Sequence, residues 1–414
     1  MMTRAARIAD FLALRRSTVG VFAMVVLVGM GEHMAERFLP IYILALGGGF
    51  MAIGLLQAMD NLLSALYSFP GGYISDRFGT KRALLFFNLI AIAGFAVVIL
   101  VPAWQAVLAG SVLFISWSAI SLPATMSLLY RVLPLHKRTM GVSILSMVRR
   151  IPKALGPLLG GVLIATWGER DGVRAAFVAA LALALVGLFL QRRLIEDDGA
   201  DAAKARAARP AAERDPRRLL RLMSPSMKRL LISDILIRFC EQIPFAFVVV
   251  WCMKTIAAPV TAVQFGLLTT IEMVVAILIY IPVARLADRG EKKRYVLITF
   301  VFFTLFPLVL LYSRSFGALV LAFVLRGLKE FGEPTRKSLI MDLSPEPQRA
   351  GMFGLYYLIR DIVVSLAALG GAFLWRISPE TNLLAAFAFG VIGTAGFAIF
   401  GHDHTEKKEW ASRS

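Results

Sequence analysis

The chain has 414 residues, of which 58% are hydrophobic and only 17% are charged, and its mean hydropathy is +0.72. Soluble globular chains are nearer half apolar and a quarter charged, so this composition excludes an ordinary soluble domain and predicts a membrane protein. The net charge of +18 lies in alternate loops between long apolar runs. This is the positive-inside pattern of membrane proteins, and it argues against nucleic acid as a partner. The two cysteines, Cys240 and Cys252, are too far apart along one helix to form a disulfide.

Twelve apolar runs are long enough to cross a bilayer, and they fall into two groups of six. The first six helices are expected at 18–46, 51–74, 83–102, 104–131, 140–166 and 174–193. The second six are expected at 229–253, 263–286, 295–312, 315–343, 350–376 and 383–401. Between the groups lies a charged stretch rich in Ala and Arg, which predicts a cytoplasmic linker. The basic start of the chain and the even number of helices predict that both termini are cytoplasmic.

An internal repeat relates the two groups of helices. Asp60 recurs as Glu272, Pro70 as Pro282 and Asp76 as Asp288, all at an offset of 212 residues. The offset falls to 211 and then 210 towards the end of each group. Because the register holds through turns and charges, we expect two duplicated halves. The predicted fold is an all-α membrane protein with two pseudo-symmetric six-helix bundles. The predicted domains are an N-terminal bundle at 1–193, the linker at 194–228, and a C-terminal bundle with a short tail at 229–414.

The loop between the second and third predicted helices reads Gly-Tyr-Ile-Ser-Asp-Arg-Phe-Gly-Thr-Lys-Arg over residues 72–82. It resembles the cytoplasmic loop signature of the major facilitator superfamily, with a degenerate copy in the second half. The resemblance implies that the two bundles surround a central cavity and that this loop takes part in gating. The residues assigned to gating are Gly72, Asp76, Arg77, Gly79, Lys81, Arg82, Asp288, Arg289 and Arg294. A helix N-terminus at Asp76 would favour its charge and an ion-pair latch, whereas Lys81 and Arg82 equally fit a role in setting topology.

A second element, Gly-Pro-Leu-Leu-Gly-Gly at 156–161, is similar to a Gly-Pro-x-x-Gly-Gly element that this superfamily often carries in antiporters. Small residues let membrane helices approach closely. The residues assigned to helix packing are Gly156, Pro157, Gly160, Gly161, Gly370 and Gly371. The Arg-containing pattern that the family usually has in its fourth helix is absent, which weakens an assignment as a drug/proton antiporter.

Many ionisable residues fall inside the predicted membrane helices, where each costs about 3 kcal/mol unless it faces a cavity or a partner. Arginine and lysine match carboxylate and phosphate groups. The residues predicted to bind an anionic or zwitterionic solute are Arg37, Arg149, Arg150, Lys153, Arg238, Glu241, Arg326, Lys329, Glu330 and Arg360. Buried carboxylates can titrate near neutral pH, and the residues predicted to couple protons are Glu32, Glu36, Asp60 and Glu272. Any one of these residues can instead belong to a structural ion pair. The strongest candidates for such pairs are Asp234 with Arg238 and Arg360 with Asp361.

These features together predict a secondary active transporter rather than an enzyme, since no nucleophile elbow or phosphate-binding loop is present. The expected activity is alternating-access transport of a charged organic solute, coupled to protons, across a bacterial cytoplasmic membrane. A monomer is expected, with no cofactor and no metal. Three alternatives stay open: a multidrug/proton antiporter, a lipid flippase, and a receptor that does not transport.

Overall fold

The computed structural model describes residues 16–114, 147–195, 216–287, 292–344 and 349–401, together with residues 117, 121, 125 and 145. Every regular element in these ranges is helical. By length and composition, eight of the described helices can cross a membrane, or nine if one bent pair counts as a single span. The chain is therefore a multi-pass, all-α membrane protein. Its predicted total of twelve spans stays a prediction.

The described helices divide between two compact units. Unit 1 comprises Met1–Arg209 with Val260–Thr270, and unit 2 comprises Pro210–Pro259 with Ile271–Ser414. The helices that begin before residue 210 are α1 Arg16–Glu36, α2 Leu39–Ala45, α3 Phe50–Phe78, α4 Thr80–Leu100, α5 Trp104–Phe114 and α6 Arg150–Leu194. Those that follow are α7 Pro216–Leu222, α8 Pro225–Phe245, α9 Val248–Val250, α10 Ala262–Ala287, α11 Lys292–Tyr312, α12 Phe316–Leu328, α13 Glu333–Asp342, α14 Arg349–Ile377 and α15 Pro379–Phe400.

Helix boundaries repeat between the two halves at the offset that the sequence predicts. The first residues of α3 and α10 are 212 residues apart, as are those of α5 and α12 and the last residues of α4 and α11. The duplication therefore extends to where helices begin and end. This agreement supports the pseudo-symmetric fold.

Two of the helices predicted as continuous are broken just before a proline. The first, expected at 18–46, is interrupted at residues 37–38, because Pro40 opens α2 and its ring would clash with a carbonyl four residues earlier. The tenth, expected at 315–343, ends at Leu328 and resumes as α13, in which Pro334 lies at the start. The break at 329–332 packs on α11, since the Gly332 amide donates to the Thr299 hydroxyl. The seventh helix is also broken, after Pro244, and continues through α9 into one π-helical turn at Trp251–Thr255.

The connection expected at residues 167–173 is much shorter in the structure. Only Gly168 departs from helical geometry within α6, and its φ of 79° lies in the left-handed region that favours glycine. A Cβ on Gly172 would lie 2.5 Å from the Cα of Ile164. Residues eight apart in one straight helix are about 12 Å apart, so α6 is two antiparallel helices joined at Gly168. Ser378, which separates α14 from α15, lies 210 residues further on and gives the second half the same short connection.

Candidate functional site

Asp234 on α8 is the centre of a buried ion-pair network in unit 2. Its Oδ2 accepts hydrogen bonds from the Arg336 guanidinium and, at 3.0 Å, from the Tyr356 hydroxyl. The Nη1 of Arg360 lies 3.6 Å from the same oxygen, and the Nε of Arg238 lies 3.9 Å from Oδ1. The side chains of Asp234 and Arg336 are each 1% exposed. Three guanidinium groups therefore converge on one carboxylate that water does not reach.

The network continues along the inner faces of α8, α12 and α13. Arg238 donates to Glu241 at 2.6 Å and to Glu333 at 3.3 Å. Glu333 also accepts from Arg336 at 2.7 Å, and Glu241 accepts from Lys329 at 2.7 Å. Although the break at 329–332 divides the tenth predicted helix, Lys329 and Glu333 both contact residues of α8. The broken helix thus keeps charges from both of its segments in one network.

Glu272 on α10 forms the other end of the network. Its Oε1 lies 3.4 Å from the Arg326 Nε and 3.6 Å from the Lys329 Nζ. The guanidinium carbon of Arg326 also lies between 5.1 and 5.6 Å from the centroids of three phenylalanine rings, those of Phe245, Phe306 and Phe323. Such placement over ring faces stabilises a buried cation. Arg326 is therefore held by both a carboxylate and an aromatic shell.

The charges of this network nearly balance one another, with one further cation at its edge, the exposed Lys337, which lies 3.5 Å from Glu333. Its cations are Arg238, Arg326, Lys329, Arg336 and Arg360, and its buried carboxylates are Asp234, Glu241, Glu272 and Glu333. A fifth carboxylate, Asp361, lies at the edge and contacts Arg360 at 2.7 Å. Each cation of the network thus has a carboxylate within ion-pair distance. This pairing satisfies the condition under which buried charges are tolerated.

Unit 1 carries a different polar cluster, on α1, α3 and the start of α6. On α1 the buried Glu32 precedes His33, whose Nδ1 is hydrogen-bonded to the Glu36 carboxylate. On α3 Asp60 accepts weak hydrogen bonds from Gln57 at 3.4 Å and Ser64 at 3.5 Å. Glu36 and Asp60 are close enough to interact electrostatically. Two carboxylates and an imidazole therefore share one part of unit 1.

Four cations accompany the carboxylates of the unit 1 cluster. Arg149 donates to the neutral Thr125 hydroxyl at 3.4 Å, and its buried Nε has no hydrogen-bond partner among the described residues. Glu32 acts on Arg149 electrostatically, and both Arg37 and Lys153 act on Glu36. The Lys153 side chain is exposed. At this depth the described charges of unit 1 are three carboxylates (Glu32, Glu36, Asp60) and four cations (Arg37, Arg149, Arg150, Lys153).

The principal charges of the two units lie at similar depths along their helices. Asp60, Glu272 and Arg326 each lie ten residues after the first residue of α3, α10 and α12, respectively. Ten helical residues span about 15 Å, which is half of the roughly 30 Å hydrocarbon core of a bilayer. These residues are therefore at mid-membrane depth, where polar groups mark functional or tightly paired sites.

The family profile for the Major Facilitator Superfamily matches the sequence over residues 21–262 and again over 230–413. The chain belongs to the Major Facilitator Superfamily. An uncharacterised transporter of this superfamily from Methanocaldococcus jannaschii is 30% identical over 113 residues. That match covers 27% of this chain and 28% of the relative, so the chain aligns with little more than a quarter of that protein.

Solved structures of this superfamily share the fold. A variant of the nucleoside transporter NupG is 14% identical, with a TM-score of 0.79 over 92% of this chain and 99% of its own. The peptide transporter POT bound to sulfate is 15% identical, with a TM-score of 0.73 over 93% of each chain. A POT variant bound to alafosfalin is 17% identical, with a TM-score of 0.72 over 97% of this chain and 99% of its own. The chain thus has the fold of these peptide and nucleoside transporters.

The superfamily loop signature lies at the junction of α3 and α4. The backbone of Gly72, Asp76 and Arg77 is helical, because α3 extends to Phe78 instead of ending at residue 74. The helix N-terminus expected at Asp76 is therefore wrong, since this residue lies in the last turn of α3, where the helix dipole disfavours a negative charge. Gly79 separates the two helices with a φ of 88°.

The remaining gating candidates are spread over two helices and a stretch outside the described residues. Lys81 is half-buried at the start of α4, and Arg82 beside it is exposed. Arg294 is exposed near the start of α11. Asp288 and Arg289 lie outside the described residues. The latch proposed for this loop thus stays a prediction.

Glycines of the antiporter-like element bring α6 against α1. A Cβ on Gly156 would lie 2.8 Å from the His33 Cβ, and one on Gly160 would lie 2.0 Å from the Met34 carbonyl oxygen. A backbone atom at that distance cannot be displaced cheaply, so no larger residue fits at Gly160. The unit 1 polar cluster is therefore held against α6 by direct backbone contact.

The same element also contacts the first turns of α10 within unit 1. A Cβ on Gly161 would lie 2.4 Å from the Ala262 carbonyl oxygen, and a Cβ on Gly266 would lie 2.6 Å from the Pro157 carbonyl oxygen. In unit 2, a Cβ on Gly371 would lie 2.2 Å from the Ile243 carbonyl oxygen. Gly370, in contrast, has no neighbouring atom within 4 Å of such a Cβ, so it makes no close helix crossing.

Sequence reasoning missed Arg336, the most deeply buried cation of the unit 2 network, and left out Glu333 as a site residue. The sequence did contain an indication of Arg336, because this residue lies three positions after Glu333 in the tenth predicted helix and therefore on the same helical face. Glu330, which was chosen instead, is half-buried in the break between α12 and α13.

A buried polar chain in unit 1 was also missed. Trp117 donates to Asn88 at 2.7 Å, Asn88 donates to Gln191, and Gln191 donates to the Lys81 carbonyl oxygen at 3.0 Å. It ties α6 to the first turn of α4, which contains the last residues of the signature loop. Neutral amides inside apolar runs gave little indication of this contact.

Proposed function

We propose that this protein is a proton-coupled secondary active transporter for an anionic or zwitterionic organic solute. Its membership of the Major Facilitator Superfamily and its fold support transport by alternating access. The buried charges of unit 1 support a charged cargo, because a purely apolar solute would not require them.

The observation that carries the choice of cargo is the environment of Arg149. Its guanidinium has one long hydrogen bond to a neutral hydroxyl and a buried Nε without a hydrogen-bond partner among the described residues. Buried nitrogens of Arg238 and Arg360 in unit 2 also have no hydrogen-bond partner among the described residues, but each of these two cations lies within 4 Å of a carboxylate. We therefore assign recognition of the anionic group to the unit 1 cations Arg37, Arg149, Arg150 and Lys153. In this proposal, Arg238, Arg326, Lys329 and Arg360 hold unit 2 together rather than bind the solute directly.

Proton coupling is assigned to the carboxylates of the same cluster. Asp60 has only neutral hydrogen-bond donors among its side-chain contacts, and Glu36 lies near enough to repel its charge. A carboxyl in such surroundings can bind and release a proton as a nearby charge changes. Glu32 and Glu36 are the further candidates in unit 1, and Glu272 is the candidate in unit 2.

Transport assays in proteoliposomes test this proposal. Labelled organic anions, zwitterions, cations and neutral solutes would be compared in counterflow and under an imposed pH gradient. We expect counterflow with an anion or a zwitterion, and Arg149→Gln should raise its KM at least tenfold, the effect of about 1.4 kcal/mol of lost charge-assisted binding. Arg192→Gln, which removes an exposed cation from the last turn of α6, is the matched control and should leave KM unchanged.

The other outcomes separate the alternatives. Proton-driven efflux of several unrelated lipophilic cations would favour a multidrug antiporter, which the Gly-Pro-x-x-Gly-Gly element supports. Movement of labelled lipid between leaflets would favour a flippase, and the absence of any flux would favour a receptor. Either preference for cations or an unchanged KM in Arg149→Gln would overturn the assignment of the anion site.

The proposed topology has twelve spans, with the linker and both termini in the cytoplasm of a bacterial cell. The basic linker and short opposite loops support it through the positive-inside rule. Single cysteines introduced in the linker and in the tail should react with a permeant maleimide only. Labelling of either one by an impermeant maleimide in intact cells would reverse the orientation.

A further inference from the structure

A strongly basic segment lies directly before the first membrane-spanning helix of unit 2. Residues 216–233 contain five cations and no acidic residue. They comprise α7, the short connection at residues 223–224, and the first turns of α8. The cations are Arg217, Arg218, Arg221, Lys228 and Arg229.

One face of this segment is anchored in the core of unit 2. Leu219, Met223 and Met227 are at most 4% exposed and belong to the same hydrophobic cluster as Leu343 and Tyr356. The Ser224 hydroxyl accepts a hydrogen bond from the Met227 amide and caps the start of α8. The segment is therefore docked on unit 2 with a defined orientation, unlike a free polar linker.

The opposite face combines positive charge with exposed leucines. Arg218, Arg221, Lys228 and Arg229 are exposed. Leu220 and Leu222, which flank Arg221, are 46% and 45% exposed. Cations alone are expected of any solvated basic helix, but leucines interleaved with arginines are typical of helices that lie in a membrane interface.

The position of the segment places this face at the bilayer surface. Only two residues separate Leu222 from Pro225, the first residue of α8, so α7 ends within about 10 Å of the start of that helix. This is about one Debye length at physiological ionic strength, so the charges of the segment interact with those of the adjacent leaflet. Clusters of four to eight Lys and Arg residues beside a membrane span typically bind anionic lipid.

We propose that the exposed face of residues 216–229 binds the headgroups of anionic phospholipids in the adjacent leaflet. The arginine and lysine side chains contact the phosphates, and Leu220 and Leu222 enter the interface between headgroups and acyl chains. This lipid contact is independent of the solute that the protein carries. An acidic soluble protein is a poorer occupant, because the exposed leucines and the short distance to α8 both favour lipid.

Lipid retention by the full-length protein tests the proposal. Protein equilibrated with equal amounts of phosphatidylglycerol and phosphatidylcholine would be analysed by native mass spectrometry. The wild type should retain phosphatidylglycerol preferentially, and this preference should fall as ionic strength rises. In the triple variant Arg221→Gln, Lys228→Gln and Arg229→Gln, each lost cation is expected to lower affinity for the anionic lipid about fivefold.

A matched variant controls for net charge. Lys254→Gln, Arg314→Gln and Arg376→Gln remove three exposed cations of the same unit, from the π-helical turn, the connection between α11 and α12, and the last turn of α14, and the preference should survive in this variant. A second variant, Leu220→Ser with Leu222→Ser, keeps all charges and should weaken retention of both lipids. The proposal is overturned if the first triple variant retains phosphatidylglycerol like the wild type, or if the control variant loses it equally.

Discussion

Asp234→Asn is expected to destabilise unit 2 strongly, because this substitution leaves several buried guanidinium groups without their common carboxylate. Arg336 is 1% exposed, and the contacts from Arg360 and Arg238 to Asp234 are 3.6 and 3.9 Å long. At an effective dielectric constant of about 20, each ion pair at such a distance contributes about 4 kcal/mol before desolvation is counted. Removal of one partner from a buried pair typically costs about 3–5 kcal/mol in net stability. We expect a loss in that range.

Equilibrium unfolding in mixed micelles, followed by tryptophan fluorescence, measures this loss. The control is Asp342→Asn, which also removes a lysine-paired carboxylate, but one that is 49% exposed. An exposed pair contributes about 0–1 kcal/mol. The double variant Asp234→Asn with Arg336→Gln removes both partners and should recover about 2 kcal/mol of the single variant's loss. If Asp234→Asn costs no more than Asp342→Asn, or if the two substitutions are simply additive, the network does not stabilise unit 2 as argued.

Further predictions concern unit 1 and the signature loop. Gly160→Ala should lower the free energy of unfolding by about 1–3 kcal/mol, because the new Cβ would lie 2.0 Å from the Met34 carbonyl oxygen unless the helices move apart. The control is Gly370→Ala, whose Cβ would meet no atom within 4 Å. This variant should be neutral or slightly stabilising in the same titration. Gln191→Leu should cost about 1–3 kcal/mol, since it leaves a buried amide of Asn88 unpaired, and an unchanged unfolding curve would contradict this. Asp76→Asn should abolish transport in proteoliposomes while its yield in the membrane fraction stays normal, and wild-type transport would argue against a latch.

The membrane-spanning segments were largely predictable because hydrophobicity acts locally. A helix must supply its own run of apolar side chains wherever lipid surrounds it. The break before Pro40 could also have been predicted from the steric rule for proline, as could the one before Pro334. The connection at Gly168 was predicted too long because Glu169 and Asp171 resemble loop residues. In the structure they open the next helix, where its dipole favours negative charge.

The candidate site was predictable only in part. Spacing indicated that Glu32 and Glu36, four residues apart, lie on one face of a helix, and the structure places both in the unit 1 cluster. Spacing could indicate the ring of Phe323, three residues before Arg326 on α12, but not the rings of Phe245 and Phe306, which come from two other helices.

The sequence alone determined the class of fold, its internal duplication and the depth of the charged residues, because each depends on patterns within one helix or on a constant offset. Only the tertiary structure decided which charges neutralise one another. Arg336 and Asp234 are 102 residues apart and meet because their helices pack together. Ion pairing falls steeply with distance in three dimensions, and helical periodicity carries no information about which helices become neighbours. For that reason, the ion-pair network of unit 2 and the polar cluster of unit 1 look alike in sequence.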